Sequence, residues 1–319
     1  MSSVSLNGVK KGEAANTAMS IPFRTRVRAC RSFLLTPGTR PDTFVAGRAA
    51  GGDAIIVDLE STVAPEGKQR ARENALAYLR EPALADLLRI VRINSPRSAE
   101  GLRDLLALHE SGDEPDAIII PKCESADELR LVADVLDGAQ SNIGIIPMVE
   151  LARAVFAVDA IAVAHDRVCG LFLGGGDLAA DLGNDGSWEN LLFARSRIVA
   201  AAATSGIASI DVPYFKADDA GLRQAATASR KLGMTGKAAL HAEQLAAINT
   251  IFTPSPEAVT HARAVMAAAN ASDGGVPVLN GRVIEPAMLR EAKRVIAIDE
   301  RLCNGAHAST AETSATHNH

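Results

Sequence analysis

Short apolar runs recur along the chain from Arg31 onward, each bounded by glycine, proline or polar residues. They occupy 31–36 (RSFLLT), 54–59 (AIIVDL), 90–94 (IVRIN), 117–122 (AIIIPK), 143–149 (IGIIPMV), 169–174 (CGLFLG), 207–212 (IASIDV) and 235–241 (TGKAALH). Being continuous rather than alternating, the runs predict strands covered on both faces, as in parallel sheets. Their starts lie roughly 23 to 38 residues apart, room for one strand, one loop and one helix. Eight such units predict an α/β protein of the TIM-barrel, (β/α)8, type. An open doubly wound sheet is the alternative, weakened because no Gly-x-Gly-x-x-Gly follows the first run.

Between the runs, helical periodicity is clear in several places. Ser125-Ala-Asp-Glu128 is a capping box opening an amphipathic helix through Leu129, Val132, Ala133 and Leu136, with Gly138 as its stop. The pattern repeats over 188–205 and 219–232, the second ending at Gly233. After the eighth run, Ser255-Pro256 reads as an N-cap with proline at the first helical position. A break at Asp273-Gly-Gly275, a turn at Asn280-Gly281 and one further helix follow. The predicted organisation is a disordered tail over 1–28, a catalytic barrel over 29–254, an extended C-terminal helical arm over 255–300, and a disordered polar tail over 301–319. The arm is too long to be the barrel's last helix, so it is expected to pack on a neighbouring subunit or close over the site.

Composition narrows the function. With 319 residues, 47% of them hydrophobic, the chain can bury a large core. A net charge of −5, a pI near 5.8 and only 3% aromatic residues argue against nucleic acid as a partner. No apolar run reaches the ~18 to 20 residues that span a bilayer. The first 28 residues are basic with one acid, Glu13, and lack an apolar core, which argues against a secretory signal. A transit peptide also fits that composition. Cys30, Cys123, Cys169 and Cys303 are far apart and form no Cys-x-x-Cys pair, so reduced thiols in a cytoplasmic protein are expected.

In a TIM barrel the chemistry sits at the C-terminal ends of the strands, and here those ends are polar. They carry Pro37-Gly38-Thr39-Arg40, Asp58 with Glu60, Arg92 with Asn94, Lys122, Glu150, Asp177 after three glycines, Asp211 and His241. Lys122 and Asp58 also suit a structural ion pair in the mouth, and Asp211 and His241 suit satisfied rim residues. Glu150 and Asp177 each follow strongly apolar runs on adjacent predicted strands, within reach of one shared cation. Oxygen ligands without a histidine or cysteine cluster suit Mg²⁺, or Mn²⁺. Gly175 and Gly176 beside Asp177 let a substrate approach the backbone closely. Arg92, inside an apolar strand, needs a carboxylate of the protein or of a substrate. A keto acid chelating the cation, its carboxylate held by Arg92, would use all three residues.

Several segments resemble one known family. Phe33-Leu-Leu-Thr-Pro-Gly38, Ile56-Val-Asp-Leu-Glu60, Lys68 with Arg72, Val91-Arg-Ile-Asn94, Ile120-Pro-Lys122, Met148-Val-Glu150, Gly174-Gly-Gly-Asp-Leu178, Gly236-Lys237 and Phe252-Thr-Pro-Ser255 follow the order of the citrate-lyase β-subunit-like branch of the HpcH/HpaI aldolase superfamily. The resemblance covers roughly residues 31 to 296. It implies a barrel with a C-terminal arm, Mg²⁺ held by Glu150 and Asp177, and a homo-oligomer, trimer or hexamer. It further implies catalytic roles for Arg92, Glu60, Asp58 and Glu285, and substrate contacts from Arg92, Pro37, Gly38, Lys68, Gly175 and Gly176. The implied reaction cleaves or forms a 3-hydroxyacyl-CoA thioester of the citramalyl-CoA or malyl-CoA kind, giving acetyl-CoA and a 2-keto acid, pyruvate or glyoxylate.

The chain also departs from the family pattern. Asp58-Leu-Glu-Ser61 stands where Asp-Leu-Glu-Asp is usual, Glu150-Leu151 where Glu-Thr is usual, and Leu240-His-Ala242 where Ile-His-Pro is usual. In the arm, Glu285 stands where the family has an aspartate that serves a neighbouring subunit. Two other readings remain: a class II aldolase acting on a free 4-hydroxy-2-oxoacid, and a carrier-dependent citrate-lyase β-type subunit of a larger complex. The first is weakened because no histidine base stands at the ends of the first two strands.

Overall fold

A computed structural model of the protein describes residues 23–84, 86–137, 142–272 and 275–315, with side chains up to residue 303. The eight apolar runs form β1 (Ser32–Pro37), β2 (Ala54–Asp58), β3 (Leu88–Arg92), β4 (Ala117–Ile120), β5 (Gly144–Val149), β6 (Gly170–Leu173), β7 (Ala208–Asp211) and β8 (Gly236–Ala239). All pair in parallel and in order, and β8 closes on β1, so the fold is a (β/α)8 TIM barrel.

The two-residue period of a strand divides the apolar side chains into two cores. Phe33, Ile56, Ile90, Ile119, Ile146, Phe172 and Ile210 point inward and fill the barrel. Their neighbours Leu34, Ile55, Val57, Val91, Ile118, Ile145 and Leu171 point outward and join the helices in a larger cluster. Both faces being covered explains why the runs carry no polar alternation. The helices end as their sequences dictate: 126–137 opens on Ser125, whose Oγ accepts the Glu128 N–H, and Asp219–Leu232 ends on Gly233 at φ +111°. Gly138 lies outside the described residues.

Two predicted boundaries need correction. Residues 1–28 were expected to form a disordered tail, yet Phe23–Arg28 is a helix closing the N-terminal end of the barrel. Its fully buried Val27 joins the interior core, and Phe23 packs over Gly144, where an added Cβ would meet the ring at 2.2 Å. Residues 1–22 lie outside the described residues. Disorder was likewise expected from 301, but the last helix runs from Pro286 to Ala315. Ala297 and Ile298 bury against Ala29, and the Arg301 guanidinium donates to the carbonyls of Asp53 and Asp86 below the barrel, which holds the chain there. Residues 316–319 lie outside the described residues.

The arm begins with the helix Pro256–Asn270, capped by Ser255, whose Oγ accepts the Ala258 N–H at 3.2 Å. A small hairpin, β9 (Val278–Leu279) and β10 (Arg282–Val283), follows. Asn280 at φ +51° and Gly281 at φ +77° make its turn, the paired positive φ that an Asn-Gly sequence favours. Ile284, Ala292 and Val295 pack on Ala262 and Val265 to give the arm its own core. Among the described residues no helix is long and apolar enough to cross a membrane.

Candidate active site

A cavity of about 300 Å³ opens at the C-terminal end of the barrel. Leu35, Ile119, Met148 and Phe172 line it from the strands, and Val212, Pro213, Phe215 and Leu240 from the loops after β7 and β8. Its polar lining comes from Ser61, Thr62, Arg92, Glu150, Asp177 and the backbone of Gly174, Gly175 and Gly176.

Arg92 and Asp58 are register partners on β3 and β2, in the uppermost layer of the interior. Arg92 Nε donates to Asp58 Oδ1 at 2.6 Å and Nη2 to Oδ2 at 2.7 Å, a two-pronged pair that burial strengthens. Nη2 also donates to Ser61 Oγ at 2.6 Å. Nη1, at the cavity edge, lies 3.5 Å from Glu60 Oε2 and 3.9 Å from the Met148 sulfur. Burial alone would raise the Asp58 carboxyl, but the Arg92 guanidinium and the Thr62 and Glu60 donors hold it below the usual carboxylate range. The expected Lys122–Asp58 ion pair does not form. Asp58 is committed to Arg92, while Lys122 Nζ reaches Glu60 Oε1 at 3.3 Å.

Glu150 follows β5 and is 1% exposed. Its Oε1 accepts the Lys122 N–H at 2.6 Å. A Cβ at Gly174 would lie 2.3 Å from both Cβ and Oε2 of Glu150, so only glycine leaves room for this carboxylate. Gly174 caps the helix Gly175–Leu182, and Asp177 lies in its first turn. Of the three glycines, Gly174 is thus the cap and Gly175 and Gly176 open the helix. Burial pushes the Glu150 carboxyl up to about 7; the Lys122 N–H opposes this, and the charges of Asp177 and Glu60 add to it.

This has a measurable consequence. The unfolded chain releases the proton near the ordinary ~4.3, whereas the fold keeps it to higher pH, so stability falls as pH rises across that window. With a chelator present, Glu150→Gln is expected to be more stable than wild type at pH 8 by on the order of 1–3 kcal/mol, and indistinguishable from it at pH 4. Urea denaturation at the two pH values measures the difference.

Other predicted site residues lie elsewhere. Lys68 does not reach the cavity; its ammonium donates to the carbonyls of Leu59 and Glu60 and to Asn94 Oδ1, each at 2.7 Å, and so fixes the loop after β2. Pro37 and Gly38 are also absent from the lining. The Gly38 N–H donates to Asp58 O, and a Cβ there would meet that oxygen at 2.8 Å, so this glycine serves packing. Asp211 alternates outward from its inward neighbour Ile210, and pairs with Arg195, Lys237 and Ser229 beneath the helices. Lys237 Nζ also donates to Val212 O at 2.7 Å, which ties this buried network to the cavity wall. Glu285 is exposed on the arm and does not line the cavity of its own barrel. Phe215 in the lining has no signal in the sequence, where a lone loop aromatic carries no period.

The sequence profile of the HpcH/HpaI aldolase/citrate lyase family matches residues 31–242. The chain belongs to the HpcH/HpaI aldolase/citrate lyase family. Among relatives, it is 33% identical over 305 residues to an L-malyl-CoA/β-methylmalyl-CoA lyase of Rhodobacter capsulatus, covering 86% of this chain and 95% of that one. It is 31% identical over 287 residues to the citrate lyase subunit beta of Escherichia coli K12, covering 86% and 94% respectively. Among solved structures, CitE of Mycobacterium tuberculosis in complex with magnesium, acetoacetate and coenzyme A superposes with a TM-score of 0.64 at 29% identity, covering 85% of this chain and 99% of that one. As a member of the HpcH/HpaI family with relatives named lyases, the chain is a carbon–carbon lyase.

Proposed function

We propose that the protein is a Mg²⁺-dependent lyase that cleaves, or in reverse forms, the C2–C3 bond of a 3-hydroxyacyl-CoA thioester such as malyl-CoA or citramalyl-CoA. The observation that carries this reading is the Glu150 carboxylate, buried at the cavity edge beside Asp177, with Arg92 Nη1 at the edge of the same cavity. The donor set fits the metal: Glu150 and Asp177 supply carboxylate oxygen only, the donor type of a hard cation that keeps its other positions for water and substrate. The CitE relative bound to magnesium, acetoacetate and coenzyme A supports the same ligand classes. Glu150 and Asp177 would hold Mg²⁺, which when bound would supply Lewis-acid stabilisation to the keto-acid oxygens.

The chain's own groups then have defined tasks. Arg92 Nη1 binds the carboxylate of the keto-acid portion, and the apolar wall of Ile119, Met148 and Phe172 excludes water around the breaking bond. In cleavage the 3-hydroxyl gives up its proton to solvent, its oxygen becomes the carbonyl oxygen of the keto acid, and the C2–C3 electron pair becomes the thioester enolate. The enolate takes a proton to give acetyl-CoA. We assign the acid to Glu285 of a second copy, since Glu285 is exposed on the arm and outside the cavity of its own barrel.

Thermal shift tests the ligand classes: Mg²⁺ with acetyl-CoA is expected to raise Tm, and pyruvate or glyoxylate to raise it further. A Tm unmoved by any CoA thioester would remove the reading. The Escherichia coli relative is by name a subunit, so activity of the isolated chain separates a self-contained lyase from a carrier-dependent one.

A further inference from the structure

Among the described residues, only Lys122 and Asn280 have a positive φ without being glycine. Asn280 belongs to the Asn-Gly hairpin turn, where that conformation is ordinary. Lys122, at φ +53°, has no such excuse: a lysine side chain offers no local hydrogen bond to offset the clash of its Cβ. Strain of this kind persists only where its surroundings over-determine it.

Here the surroundings use every handle of the residue. Pro121 has no N–H, so the Lys122 N–H is the first donor after the end of β4, and it donates to Glu150 Oε1 at 2.6 Å. The Lys122 carbonyl accepts from Arg97 Nη2 at 2.6 Å. Its ammonium reaches Glu60 Oε1 at 3.3 Å. Relaxing φ to the right-handed region would rotate the chain by ~115° about N–Cα. The N–H could not then stay on Glu150 while the carbonyl stayed on Arg97.

We propose that Lys122 is a positioning residue of the cation site, its left-handed backbone fixing the Glu150 carboxylate through the N–H. The inference rests on the reading of Glu150 and Asp177 as metal ligands, and deepens it.

The test is Mn²⁺ binding to the full chain, followed by the electron paramagnetic resonance signal of the free ion. Lys122→Gly, Lys122→Asn, Lys122→Ala and Lys122→Val all remove the ammonium and differ in how readily they adopt positive φ. Gly and Asn are expected to keep the wild-type Kd within about threefold, Ala to weaken it about fivefold, and Val at least about tenfold. Equal Kd values across the series would overturn the proposal, since a role confined to the ammonium would not distinguish them. If circular dichroism shows the Val variant unfolded, the Gly, Asn and Ala comparison decides. A wild-type chain that binds no Mn²⁺ would remove the metal pair and the proposal together, whereas a flat series with wild-type binding removes the proposal alone.

Discussion

Glu150→Gln and Asp177→Asn are each expected to lower the Mg²⁺-dependent kcat/KM by at least about 10³-fold, with the fold intact. Each substitution is isosteric and removes a charge rather than volume. In Glu150→Gln the side-chain oxygen can still accept the Lys122 N–H, so the geometry around Gly174 is kept while the ionic donor is lost. The variant should therefore melt no lower than wild type without metal, yet fail to gain stability when Mg²⁺ is added. Steady-state kinetics over a Mg²⁺ titration, with a melt of each variant, checks both halves. Full Mg²⁺-dependent activity in either variant would contradict the assignment.

Arg92→Met is expected to cost about 3–5 kcal/mol of stability, because it leaves Asp58 buried without its counter-charge. Asp58 is fully buried and would retain only the N–H groups of Glu60 and Thr62 and the Thr62 hydroxyl. The sign with pH follows from its depressed folded value. The pair contributes above the unfolded pKa of ~3.9, and that contribution is lost as pH falls through the folded value, so the deficit of the variant shrinks in acid. Adding Asp58→Asn should recover part of the loss, the coupling expected of residues in contact. Activity should also fall at least about 10²-fold, because the proposed function gives Nη1 the substrate carboxylate. Arg92→Lys should rescue neither fully, since an ammonium cannot serve both oxygens of Asp58 and a ligand. Urea denaturation at pH 3 and 7, with kinetics on the same samples, measures these effects.

The barrel was legible because its signal is repeated: eight apolar runs at βα spacing report burial on both faces whatever the local exceptions. The uppermost interior layer was legible for the same reason, since a charged residue inside a run, as Arg92 is, must find a partner at the mouth. Phe23–Arg28 escaped because six residues are too few to show a helical period; its only trace is Phe23 and Val27, four apart among arginines. Lys68 was placed with the substrate because its neighbourhood in sequence resembles a binding motif. Which way a lysine turns depends on the carbonyls the fold brings to it, here those of Leu59 and Glu60. The strain at Lys122 has no sequence signature, because nothing in Ile-Pro-Lys marks the lysine for a positive φ.

The most direct test is turnover by the purified chain alone. Offered a panel of 3-hydroxyacyl-CoA thioesters, including malyl-CoA and citramalyl-CoA, it is expected to release acetyl-CoA and the matching 2-keto acid with Mg²⁺ present. Activity should cease with a chelator and return on adding Mg²⁺. No cleavage of any thioester, together with cleavage of a free 4-hydroxy-2-oxoacid, would contradict the account.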